Sequence, residues 1–292
     1  TDIAFLSDGR VFVSEKNGKI RVIKNGKLQD QPLLDISDHV NTLEDRGLLS
    51  LEVDPDFKEN GYLYLLYTYH SKGSSLNQPQ TGRLTRIKLN PLLDTATPVK
   101  NPSEEILLGS ISQPYNNGVN TLCVKGSDCL PIDSPSHTIG TVRFAKDKTL
   151  YVSVGDGAGF STVDPRALRS QDIDWLVGKI LHIDRNGKGI STNPFYDGNP
   201  NSVRSKIYQY GLRNPFSMVI TPDLEVFSFD VGWRSWEEIN YGKPGANFGW
   251  PCYEGDNKQP LYETNPLTKD LCNNTYKKEI HAKPLYFYSH SQ

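Results

Sequence analysis

The 292-residue chain carries one methionine, four cysteines and six histidines, and nowhere shows a block of like charge or a long unbroken apolar run. Each shortage excludes something. With 32 basic against 34 acidic residues and a net charge of −2, there is no concentrated Lys/Arg surface for nucleic acid or an anionic membrane. Nothing approaches the ~20 apolar residues of a helical membrane span, and mean hydropathy is −0.52, so the visible chain reads as soluble. Small molecules or another protein remain as partners. The chain starts at Thr1 without a charged-then-apolar leader, which reads as a processed or excised domain and leaves export open. No Cys-x-x-Cys pair, His-Glu-x-x-His run or Ser/His/Asp arrangement occurs, and Asp184-Arg185-Asn186-Gly187-Lys188 lacks EF-hand spacing and reads as a hairpin turn. Helix signals are poor throughout.

What is plentiful is turn-forming and aromatic: 24 Gly, 19 Pro, 15 Tyr and 11 Phe, with short apolar or alternating runs that end at Asp-Gly, Asn-Gly or Pro-Asp. That pattern predicts an all-β chain. One theme, strand, tight turn, strand and often a third strand, occurs four times: residues 3–27, 48–69 with 82–89, 141–157 with 178–188, and 217–232 with 236–240. A single meander cannot bury its own two faces, so repetition points to blades around an axis, a β-propeller rather than a sandwich. The run Pro284 to His290 reads as the start of another strand, giving about four to five blades in an open toroid truncated at both ends. No linker divides the chain, so residues 1–292 are expected to form a single domain. Long polar insertions at 71–82, 90–135 and 189–204 are of functional length, and ligands are expected where the inter-blade loops converge.

The cysteines fall into two local pairs, Cys123 with Cys129 and Cys252 with Cys272, read as loop-stapling disulfides. Asn273-Asn274-Thr275 directly after the last of them is a glycosylation sequon. Both features lean toward an oxidising compartment, secreted or periplasmic. Four buried free thiols in a cytosolic protein are the competing reading.

Three segments hold the candidate chemistry. Arg213-Asn214-Pro215 sets a donor fork and an amide at a stiff corner between apolar runs, which suits an anionic, planar ligand; a plain structural ion pair is the alternative for Arg213. His137 precedes a strand at the end of a Pro-rich connection, and its near-neutral titration suits a general base, although an isolated histidine more often serves structure. Val154-Gly155-Asp156-Gly157-Ala158-Gly159 reads as a Gly-rich turn rather than a phosphate loop, since no helix signal follows.

Taken in order, Glu44 to Phe57 with its Gly47-Leu48-Leu49 and Pro55-Asp56-Phe57, His137 with Gly140, and Lys206 to Pro251 resemble the soluble sugar dehydrogenases of the glucose/sorbosone type that use pyrroloquinoline quinone. The resemblance runs from about Ile3 to Pro251 and implies a six-bladed propeller. It implies that His137 takes the proton from a sugar hydroxyl. Arg213, Asn214 and Asp45 would bind the cofactor, with an exposed loop carboxylate as the alternative for Asp45. The backbone carbonyls of Gly232 and Trp233 would hold a calcium ion. The implied reaction is oxidation of an aldose or related sugar alcohol or hemiacetal by hydride transfer to the quinone, with an external electron acceptor. Trp236 to Asn240 and Asn247 to Pro251 read as structural signature. The same motifs resemble the Hedgehog-interacting-protein branch, which implies a non-catalytic propeller binding a protein or carbohydrate; the retained Arg213-Asn214 favours the enzyme.

Overall fold

The computed structural model describes residues 1–71, 74–92, 99–111, 123–278 and 280–291, so parts of the insertions at 71–82 and 90–135 lie outside the described residues. The meanders expected from the turn spacing form four separate sheets, antiparallel except where Leu34–Asp35 pairs parallel with Val99–Lys100 at the edge of the first. The first begins with Asp2–Phe5, Val11–Glu15 and Lys19–Lys24, and the second is built on Leu48–Val53, Tyr62–Tyr69 and Gln80–Lys88. Ile139–Phe144, Leu150–Val154, Lys179–Ile183 and Ile207–Tyr210 make the third, while Pro215–Ile220, Val226–Asp230, Trp236–Tyr241 and Tyr286–Ser289 make the fourth. The last strand corrects the sequence reading. Tyr286–Ser289 pairs antiparallel with Trp236–Tyr241 and completes the fourth sheet instead of opening a fifth.

The four first strands lie side by side, each with a main-chain ladder on one edge only. Side chains satisfy the other edge, as buried backbone groups require. Asp2 accepts from Ser50 Oγ (2.6 Å), from Leu51 N (3.1 Å) and from both terminal nitrogens of Arg143 (2.9 Å each). Val142 N donates to Ser50 Oγ (3.1 Å), and Thr141 Oγ1 donates to the Phe216 carbonyl (2.9 Å). This belt ties all four sheets together, and among the described residues they form no closed ring.

Between neighbouring sheets lies the core. Phe12, Ile20 and Val22 of the first sheet meet Leu63, Leu65 and Ile87 of the second; Leu66 and Leu84 meet Val152 and Leu181 of the third; Tyr151, Ile180 and Tyr208 meet Met218 and Val226 of the fourth. Burying each such Leu, Ile or Phe contributes about 1.5–3 kcal/mol, so the sheets depend on one another rather than standing alone.

Two helices not expected from the sequence, Pro260–Thr264 and Lys269–Lys278, form a hairpin packed on Ala158, Ala167, Trp233 and Trp250. Gln259 caps the first by accepting from Leu261 N, and Pro260 sits where its missing N–H is no loss. Both expected disulfides are present, and Cys252–Cys272 staples this hairpin to the loop after Trp250. No helix among the described residues is long and apolar enough to cross a membrane.

Candidate active site

Asp45, His137 and Asn214 each lie just before a first strand, so the sheets bring them to the same end of the strand bundle. His137 is buried in a left-handed backbone conformation (φ 49°), held from several sides. Its amide donates to Asp45 Oδ2 (3.2 Å) and its carbonyl accepts from Gly157 N (2.9 Å). Thr138 Oγ1 donates to the Asp45 carbonyl (3.0 Å). A Cβ on Gly155 would sit 2.2 Å from the His137 carbonyl oxygen, so this close crossing requires glycine. Asp45 is exposed, yet it touches the histidine's main chain.

The side chain of His137 is set by a residue the sequence reading passed over as part of a turn. Asp156, 0% exposed, faces His137 Nδ1 through Oδ1 at 3.1 Å and accepts the Trp250 indole N–H at Oδ2 (2.7 Å). An ionised carboxylate only accepts, so Nδ1 carries the proton and Nε2 is the basic nitrogen. Trp250, read from sequence as structural signature, thus reaches the site directly. Aromatic neighbours frame the pair: the Phe160 ring lies 6.3 Å from His137 and is half exposed, and Trp233 packs edge-on against Trp250 and Tyr262. The signal for Asp156 was weak, one acidic residue in a glycine-rich turn.

Arg213 and Asn214 adjoin this pair, since Asp156 N donates to the Arg213 carbonyl (2.8 Å). Both backbone amides of the corner donate to one buried carboxylate, Asp230, at 2.9 Å and 2.6 Å. The guanidinium turns back over residues 231 and 232, where Nη1 donates to the carbonyls of Val231 (2.8 Å) and Gly232 (2.6 Å), and it lies 5.4 Å from the Trp250 ring centroid. Burial lowers the Arg213 pKa and raises that of Asp230, each desolvated by the same pocket. A guanidinium nevertheless stays cationic at any working pH. Glu238, directly across the ladder from Asp230, is likewise raised by burial, with Asp230 adding to the effect.

These donors allow a fit test for the groups the family resemblance implies. Arg213 Nε is buried without a hydrogen-bond partner, a spare donor on a cation beside a flat indole, which fits an anionic planar ligand. For a hard cation the backbone carbonyl oxygens of Gly232 and Trp233 are the right chemistry. Gly232 already accepts from Arg213, so a cation there shares its ligand with the guanidinium. Trp233 enters through its amide, which donates to Glu254, and its indole, which donates to the Phe160 carbonyl. No group of three or more His, Cys, Asp or Glu side chains among the described residues could hold a metal.

A histidine held by a buried carboxylate thus adjoins a buried Arg-Asn corner, on sheets joined through their first strands. The chain belongs to the Glucose / Sorbosone dehydrogenase family, whose description matches residues 1–101 and 127–292. It is 25% identical over 292 residues to quinoprotein glucose dehydrogenase B of Acinetobacter calcoaceticus, covering 92% of this chain and 55% of that one. The fold is shared with the PQQ-bound form of an aldose sugar dehydrogenase from Streptomyces coelicolor: TM-score 0.66, 23% identity, 99% of this chain and 67% of that one. A shorter match, 41% over 64 residues, links 20% of this chain to 9% of the mouse Hedgehog-interacting protein. The chain spans about half the length of the curated relatives it matches.

Proposed function

We propose that this chain belongs to a pyrroloquinoline quinone-dependent sugar dehydrogenase, a single propeller of the six-bladed type in which the four sheets are blades. The observation that carries the reading is the Asp156–His137 pair set against the buried Arg213–Asn214 corner. His137 Nε2 accepts the hydroxyl proton of an aldose or related sugar alcohol or hemiacetal. Asp156 stabilises the imidazolium that results. When bound, pyrroloquinoline quinone supplies the acceptor for the hydride leaving the same carbon, and an external acceptor later removes the electrons. Arg213, through its unpartnered Nε, Asn214 and Asp45 would hold the quinone's oxygens or carboxylates, with Asp45 placed beside the His137 main chain. Calcium is assigned to the carbonyls of Gly232 and Trp233. Two disulfides support a secreted or periplasmic location.

The test uses full-length protein with quinone, calcium, a panel of sugars and an artificial dye. His137→Ala should lower dye reduction by about 10²–10⁴ while sparing quinone binding. Arg213→Ala should weaken quinone binding itself. If full-length protein binds no quinone at micromolar level and reduces no dye with any sugar, the reading gives way to a non-catalytic propeller that binds a protein or carbohydrate, as its match to the Hedgehog-interacting protein suggests.

A further inference from the structure

Glu254, so far only the acceptor of the Trp233 amide, makes an unusual set of contacts. Its Oε1 accepts from four consecutive backbone amides: Trp233 (2.8 Å), Arg234 (2.7 Å), Ser235 (2.8 Å) and Trp236 (3.2 Å). Its Oε2 accepts from Gln259 Nε2 (2.8 Å). Successive amides curled inward form an anion-binding nest, and here the protein fills that nest with its own buried carboxylate. The loop so gathered is tight, since a Cβ on Gly232 would lie 1.6 Å from the Trp236 carbonyl oxygen. Directly before it come Val231 and Gly232, whose carbonyls aim the Arg213 guanidinium. Glu254 itself follows Cys252, which is stapled to the helical hairpin, so the carboxylate is anchored from behind.

We propose that Glu254 is the positioning residue for Arg213: by closing the 233–236 nest it fixes the carbonyls of Val231 and Gly232 that orient the guanidinium. The ligand consequence, presentation of Arg213 to a quinone, rests on the function proposed above. A carboxylate is the chemistry required, because an acceptor for several amides at once needs full negative charge; an amide oxygen makes hydrogen bonds roughly half as strong.

Glu254→Ala empties the nest and leaves a cavity of carboxylate size, which small anions can enter. Three readouts are taken on the same protein: amide exchange at 233–236, the Arg213 side-chain nitrogen signals, and quinone affinity. In Glu254→Ala the amides should lose protection and the Arg213 signals should shift, and formate or acetate should restore both. Where the wild type binds quinone, affinity should fall about tenfold, with formate recovering it, as expected for a displaced charged donor. Glu254→Gln, which keeps the side-chain shape, covers the case in which the alanine variant fails to fold and should give the same changes to a smaller degree. Unchanged Arg213 signals in either folded variant, or amides that open without moving Arg213, overturn the proposal. Wild-type protein that binds no quinone sinks the functional reading instead, and the amide and Arg213 data then decide the positioning role without it.

Discussion

Replacing Asp156 by asparagine changes almost no volume and removes one negative charge from the centre of the site. Asp156 accepts three hydrogen bonds while fully buried: from His137 Nδ1 (3.1 Å), Ala158 N (2.9 Å) and Trp250 Nε1 (2.7 Å). Asparagine cannot reproduce this. With its amide nitrogen toward Trp250, two donors face each other in a dry pocket. With the nitrogen the other way, it opposes Ala158 N–H and drives the His137 proton from Nδ1 to Nε2, which removes the basic nitrogen. Either placement strands a buried donor, at about 1–3 kcal/mol. For a chain of this size each kcal/mol corresponds to roughly 2–4 °C in Tm. Urea titration and thermal melting give the stability change, and nitrogen-15 NMR of the His137 ring reports the tautomer. Where the amide nitrogen faces His137, sugar oxidation by the full-length protein, on the function proposed above, should fall by about 10²–10⁴ because Nε2 then carries the proton. A variant with wild-type stability and His137 still protonated on Nδ1 refutes the reasoning, since the Asp156 hydrogen bonds would then hold nothing in place.

Other outcomes follow from the same contacts. Lys179 is fully buried, its pKa pushed down by desolvation to about 7, and Nζ donates to the carbonyls of Arg169, Ser170 and Val177. Lys179→Met strands those three acceptors and should destabilise by about 3 kcal/mol in urea; a loss below about 1 kcal/mol contradicts this. His281 stacks on Tyr253 at 3.9 Å with Nε2 buried and unpartnered, and burial lowers its pKa from 6.5 to about 4. Position 281 therefore binds less proton in the folded protein than in the unfolded chain across that interval, so its own contribution to stability falls as pH drops from about 6.5 to about 4. His281→Phe keeps the stack and should remove that contribution, so the variant gains stability relative to wild type as pH falls; what remains is His182, whose pKa burial lowers, against Asp230 and Glu238, whose pKa burial raises. Identical slopes in wild type and variant count against it. Between the disulfides, Cys252–Cys272 has the larger sequence separation, 20 against 6 for Cys123–Cys129. Removing the first should destabilise by ~3 kcal/mol and the second by ~2 kcal/mol in chemical denaturation, an order that loop closure sets and equal effects would contradict.

What the sequence determined by itself was local. Strand, turn and strand are written within twenty residues, as in Val11–Glu15, the turn at Gly18 and Lys19–Lys24, so four meanders and an all-β chain were legible. The two disulfides were legible for the same reason, each pair being close in sequence. His137 and the Arg213–Asn214 corner stood out through motif. The strand Tyr286–Ser289 was visible as a strand, but its partner lies across the helical hairpin, and a strand's own pattern does not say which edge it joins. The hairpin helices are short and weakly patterned, held by Cys272, Tyr262 and Trp250 rather than by their own propensity. Only the tertiary structure decided the supporting shell. Asp156 and Trp250 are 94 residues apart, and Asp230 and Glu254 reach backbone amides 16 to 21 residues away. A carboxylate in a polar turn reads alike whether it meets water or a buried nest of amides. Its role comes from what surrounds it, and distant segments supply those surroundings only once the sheets have packed.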